Sequence, residues 1–205
     1  MIETLLKDIR YALRWMRRSP GFSAVAILSL GLGVGVNTAM FSLVDSLLFR
    51  PLPVTSPGTL VDVFTTGGDG DQYATTSYAD FVDLKTQNTS FTDMIGYSPM
   101  FAPLNLGGDR SRIALGQVVT SNHFDVLGVT PFLGRMLVAS DDAPGAPRVV
   151  VLSHRMWQRE FGGDPSILGK DLTLRGQPYS IVGVAPQAFT GVVPLLAPEL
   201  WLPVP

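Results

Sequence analysis

The hydrophobic pattern divides the chain into stretches of different period. In residues 2–17 the apolar positions are Ile2, Leu5, Leu6, Ile9, Leu13 and Met16, the spacing of one face of a helix. Lys7, Asp8, Arg10, Arg14, Arg17 and Arg18 fill most of the remaining arc. From Ser19 to Val44 the sequence holds no charged residue. As a helix, Pro20–Val44 would be about 37 Å long at roughly 1.5 Å per residue. That length crosses a hydrocarbon core of about 30 Å with some tilt. Its large apolar residues contribute on the order of -3 to -6 kcal/mol to insertion, offset in part by Asn37 and the glycines. Ser19-Pro20-Gly21 is expected to break the first helix before the chain enters the membrane.

Beyond the apolar stretch, Pro51, Pro53, Pro57 and Gly58 mark an exit linker. The pattern then becomes one of short elements. Leu60–Phe64 reads as a strand and Gly67–Asp71 as a loop. Ser77 is a candidate cap for a helix running to about Gln87, with Tyr78, Phe81, Val82 and Leu84 as its apolar face. Phe91–Ile95 reads as a short turn. Ile113–Val119 reads as a strand and Asn122–Leu127 as a short helix stopped by Gly128. Val149–Leu152 is a β-branched, buried-type strand. Ser153 caps a helix through Phe161 that Gly162-Gly163 ends. Asp171–Leu174 and Tyr179–Val184 flank Arg175-Gly176-Gln177-Pro178 in a hairpin pattern, and Leu200–Leu202 reads as a last strand. Strands and helices mix without strict alternation, so the outer region is expected to be α+β.

Charge gives the arrangement a direction. Up to Arg18 there are five basic residues against Glu3 and Asp8, a net of +3, and the remainder carries -5, for the overall -2. The positive-inside rule keeps the basic end in the cytoplasm and puts residues after about 46 outside. The basic helix suits the cytoplasmic membrane interface, with Lys7, Arg10, Arg14, Arg17 and Arg18 among anionic head groups of membrane lipid. A cleavable signal peptide would have a shorter apolar region, commonly about 7–15 residues, and a small-residue cleavage site. Here Leu47, Leu48 and Phe49 follow instead, which favours an uncleaved anchor. The expected domains are an interfacial helix (1–19), a transmembrane helix (20–45), a linker (46–59) and an outer core domain (60–205). A charge-poor, slightly acidic chain is no nucleic-acid binder. With no cysteine it has no disulfide, thiolate metal site or Cys nucleophile.

Candidate chemistry is sparse. Gly31-Leu32-Gly33-Val34-Gly35 superficially suggests a dinucleotide loop, but it lies mid-way in the apolar stretch and not between a strand and a helix. Gly31, Gly35 and Ala39, spaced by four, instead form a small-residue stripe suited to close helix packing. Asn37 is polar within the span and is expected to face protein. The only histidines, His123 and His154, have no metal-ligand spacing, and Ser153-His154 lacks the frame of a nucleophile elbow. The carboxylate pairs Asp69/Asp71 and Asp141/Asp142 lack calcium-loop spacing and read as solvated loops. No P-loop occurs. No catalytic residue, metal site or cofactor is expected.

Four stretches together carry a resemblance. They are "DIRYALRWMRRSPGFSAVAILSLGLGVGVNTAMFSLVDSLLFRPLP" from Asp8, "SYADFVDLKTQNTSF" from Ser77, "VTSNHFDVLGVTPFLGR" from Val119 and "VVVLSHRMWQREFGGDPSILGKDLTLRGQPYSIVGVAP" from Val149. The chain resembles the MacB/FtsX-type ABC-transporter permeases that carry a MacB-like periplasmic core domain. The resemblance implies an interfacial helix, a first span in the inner membrane, an extracytoplasmic α+β core and further spans. It implies a separate ATPase as partner, other permease spans and a periplasmic protein partner, with no catalysis in the core. The function it implies is export or mechanotransmission: ATPase motion passed to the outer domain. Because the family continues beyond this domain, the chain is expected to be an N-terminal portion with an incomplete core. The alternative is a single-span, membrane-anchored periplasmic binding or adaptor module.

Overall fold

A computed structural model describes residues 2–48, 52–67, 73–107, 110–193 and 196–204. It divides into two units, 1–50 and 51–205. The first holds two helices, α1 (Ile2–Arg18) and α2 (Pro20–Leu48). The break between them is shorter than expected. Only Ser19 lies outside a helix, its N–H donates to the Trp15 carbonyl at 3.2 Å, and Ser23 N–H donates to the Ser19 carbonyl at 3.1 Å. Pro20 opens α2, where its missing N–H leaves nothing unpaired. The helix runs through the uncharged stretch and on to Leu48, into the segment expected as linker.

The second unit contains α3 (Tyr78–Gln87), α4 (His123–Val126) and α5 (His154–Phe161). Its strands are β1 (Tyr97–Asn105), β2 (Ser111–Val119), β3 (Leu133–Gly134), β4 (Val149–Leu152), β5 (Asp171–Leu174), β6 (Gln177–Val184) and β7 (Leu200–Pro203). They form one mixed sheet in the order β3-β6-β4-β7-β2-β1-β5, and β5 also pairs with β6, so the sheet closes on itself. The β2–β7 and β4–β6 pairs are parallel and the others antiparallel. The last strand therefore lies between β4 and β2, at the middle of the sheet.

Alternation on the central strands supplies two cores. Val150, Leu152, Leu200 and Leu202 point into one, with Leu104, Leu172, Ile181 and Met156. Val149, Val151 and Trp201 point into the other, with Phe124, Leu127 and Phe189. Burial on both faces explains why β4 reads as an unbroken run of Val and Leu.

Several expectations need correction. Leu60–Phe64 joins no ladder; among the described residues the nearest pairing is a single bridge, Thr65 to Ala74. Tyr97 instead ties this segment down, its hydroxyl donating to Asp62 Oδ1 at 3.0 Å. The cap of α3 is as expected, with Ser77 Oγ accepting from Asp80 N–H at 3.1 Å, but Tyr78, Val82 and Leu84 on its apolar face are exposed. The hairpin loop shrinks to Arg175-Gly176, both at positive φ, and Pro178 belongs to β6. Most of the Gly67–Asp71 loop, including Asp69 and Asp71, lies outside the described residues. Two strands were not foreseen. In β1, Pro99 and Pro103 argue against a strand, yet both sit where the backbone points away from β2. The Pro103 carbonyl faces that way and accepts from Arg175 N–H at 2.9 Å. The other, β3, is two residues long and carries no pattern of its own.

Candidate functional site

On α1, Lys7, Arg10, Arg14, Arg17 and Arg18 are all exposed. At 3.6 residues per turn they fall within an arc of roughly 100°, beside the stripe of apolar positions. The side chains of Ile2, Leu5, Leu6, Asp8, Ile9 and Leu13 lie outside the described residues. Tyr11 and Trp15 are 70% and 62% exposed, one turn apart. They are amphipathic rings of the kind found at membrane–water boundaries, and two aromatics four apart beside arginines were the signal for them in the sequence. On α2 a Cβ added at Gly31 or Gly35 would meet nothing within 4 Å, and Ala39 is exposed. The small-residue stripe is thus open to a neighbour. On the same helix Asn37 Nδ2 donates to the Gly33 carbonyl at 3.0 Å, and Thr38 Oγ1 donates to the Val34 carbonyl at 2.8 Å.

The second unit begins with a strap, Leu52–Leu60, laid against α4. Thr55 N–H donates to the Leu127 carbonyl at 2.9 Å. Val54 and Leu60 pack against the core that holds Leu127 and Phe124. Gly128 has φ +66°, and a Cβ there would collide with the Thr55 side chain. Both facts demand glycine, one for its backbone and one for its size. A shallow groove of about 350 Å³ lies between the strap and Val129, Pro186 and Phe189.

Several titratable groups of the second unit tie its elements together. Asp141 and Asp142 are not the solvated pair the sequence suggested. Asp141 is buried; it takes a two-pronged contact from Arg135 at 2.7 and 2.9 Å and caps Val138 N–H at 2.9 Å. Burial pushes its carboxyl up, but the Arg135 and Val138 hydrogen bonds outweigh that and hold it below the usual range. Asp142 Oδ2 accepts from Ser121 N–H at 2.7 Å. Arg112, Arg159, Glu160 and Glu199 form a closed ring of ion pairs at 2.6–3.1 Å, joining β2, α5 and the residue before β7. His123 is wholly buried against Phe124, and neither ring nitrogen has a hydrogen-bond partner among the described residues. Burial pushes it down to about 4. His154 instead stacks edge-on with Phe132 and Trp157, at 4.9 and 5.4 Å. The two histidines are thus used separately. Among the described residues no group of three His, Asp or Glu could hold a metal ion. Ser153 Oγ accepts from Met156 N–H at 3.1 Å as a helix cap.

These features match known proteins in fold. The periplasmic region of MacB from Actinobacillus actinomycetemcomitans superposes with a TM-score of 0.52 at 21% identity, over 69% of this chain and 62% of that one. The extracellular domain of the noncanonic ABC-type transporter YknZ from Gram-positive bacteria gives 0.51 at 19% identity, over 63% of each. The chain thus spans about three-fifths of each solved domain. No curated protein matches it. The MacB-like periplasmic core domain profile matches residues 23–205, taking in α2 from its first turn and all the described outer strands. The chain therefore belongs to the MacB-like periplasmic core domain family of ABC-transporter permeases.

Proposed function

We propose that the chain is part of a permease subunit that passes motion of a cytoplasmic ATPase to the outer domain, in export or mechanotransmission. The observation that carries this reading is the strap. Chain continuity makes Leu52–Leu60 the path from α2 to the outer core, and that path is clipped to the domain at Leu127 and Gly128. A slack linker would absorb displacement; a clipped one delivers it to α4.

In this reading α2 spans the inner membrane over 20–45 and α1 lies on its cytoplasmic face, the basic arc among lipid head groups. Residues 46–59 lead out, and 60–205 form the periplasmic core. Gly31, Gly35 and Ala39 pack against other permease spans, and Asn37, on the other side of α2, faces protein as well. The partners are those spans, a separate ATPase and a periplasmic protein. The core works as a mechanical body and not as an enzyme. The test is an insertion of about six Gly/Ser residues between positions 51 and 52 in the complete transporter with its ATPase, in membranes. ATP hydrolysis should continue while the ATP-dependent change at an outer-domain label disappears. A response that survives the insertion overturns the coupling.

A further inference from the structure

We infer that the Leu52–Leu60 strap is a releasable clasp whose hinge is Ser56. Ser56 has φ 56° and ψ 56°, in the left-handed region. Among the described residues Arg175 is the one other non-glycine at positive φ, and it sits in a hairpin turn where that conformation is required. Ser56 has no such excuse. A Cβ is disfavoured in this region, and the following Pro57 drives the residue before it toward extended backbone.

The contacts on either side hold it there. Thr55 N–H is tied to Leu127 at 2.9 Å, just before it. Just after it, Thr59 N–H and Oγ1 both donate to the Ser56 carbonyl, at 3.1 and 2.9 Å. Val54 and Leu60 add partly buried apolar surface. Opening the Thr55–Leu127 bond frees Ser56 to extend, which lengthens the strap. Strain favours release; the Thr55–Leu127 bond, the two Thr59 bonds and the packing of Val54 and Leu60 oppose it. The strain offsets part of what these contacts contribute, so the strap opens at lower cost than the core. α2 ends at Leu48, four residues upstream of Leu52, so tension along the chain biases the clasp toward release. That last step rests on the coupling reading above; the clasp itself does not.

Hydrogen exchange on the full chain in phosphatidylglycerol/phosphatidylcholine nanodiscs tests it. Exchange over residues 52–60 should be faster than over β4, because the strap opens without the core. Ser56→Gly removes the strain and should slow strap exchange about threefold. Ser56→Val, β-branched and worse at positive φ, should speed it about tenfold. β4 should be unchanged in both. Equal strap exchange in all three proteins, strap exchange as slow as β4, or a strap unprotected in all three would each overturn the clasp. The readout needs no ATPase. A negative result leaves coupling through a rigid linker standing, and failure of the insertion experiment leaves a positive exchange result standing.

Discussion

Acid should loosen the outer core through one side chain. His123 is buried with neither nitrogen partnered among the described residues, and burial pushes it down to about 4 in the folded protein, against an ordinary value near 6.5. The sign follows from linkage. Between pH 6.5 and 4 the unfolded chain binds a proton at this site and the folded protein does not, so stability falls as pH falls. A difference of about 2.5 pH units at 1.36 kcal/mol each amounts to roughly 3 kcal/mol, lost progressively across that window. For a chain of this size it is a drop of about 6–12 °C in melting temperature. The assay is thermal unfolding of the full chain in detergent micelles at pH 7.5, 6.5, 5.5 and 4.5. Trp201, 5.7 Å from Phe124 in the same core, is a natural fluorescence reporter. His123→Leu keeps similar volume and removes the two unpartnered nitrogens, so its melting temperature should change little from pH 6.5 to 4.5. Comparing the two slopes cancels any constant cost of the substitution and any other titrating group. Parallel acid slopes in the two proteins would refute the assignment to His123.

Three further outcomes follow from single contacts. Gly128→Val should destabilise the outer domain by about 2 kcal/mol or more in urea unfolding, since it adds a strained φ and a collision with Thr55. Glu199→Gln breaks both its links in the ion-pair ring and should cost about 1 kcal/mol at low salt, shrinking toward zero in 1 M NaCl, because Arg112 and Arg159 are partly exposed. Asp141→Asn should cost about 2 kcal/mol at pH 7. Because Asp141's folded value is depressed, the stability it gives is present above the ordinary aspartate range and lost as pH falls through that lower value. In denaturant titrations the gap between wild type and variant should therefore be smaller at pH 3 than at pH 7.

What the sequence revealed tracks how local each signal is. The two N-terminal helices, the caps at Ser77 and Ser153 and the stop at Gly162 are written within one or two turns of chain. The caps and the stop are where expected, and the two helices begin where expected, although α2 runs on to Leu48. The Val149–Leu152 run announced a strand buried on both faces because only such a strand tolerates no polar position. Strand β1 was hidden because its prolines are harmless only given the direction of β2, a non-local fact. Asp141 looked solvated because its partner Arg135 lies six residues away across a turn whose fold no period encodes. The strap was legible only as a proline-rich linker. That it is clipped down depends on Gly128, some seventy residues further on, whose missing side chain makes room for Thr55. Of the candidate residues, the basic arc and the glycine stripe could be read because helical spacing alone groups them.

The strap's position also decides where displacement would act. Leu127, which receives Thr55, follows directly on α4. Phe124 of that helix packs edge-on against Trp201 at 5.7 Å, and Trp201 is on β7, the strand between β4 and β2. Glu199, two residues before Trp201, closes the ion-pair ring to α5 and β2. These contacts are contiguous, but adjacency alone does not make a pathway; coupling requires an element with two arrangements that the input can bias. The sheet is closed on itself and buried on both faces at its centre, so it offers no second arrangement at low cost. The strap does, because Ser56 stores strain that release recovers. In the coupling proposed above, an input along the chain would either be held at Thr55 and passed to α4 and β7, or be spent in opening the clasp, and the strength of that clasp would set the load at which one outcome gives way to the other.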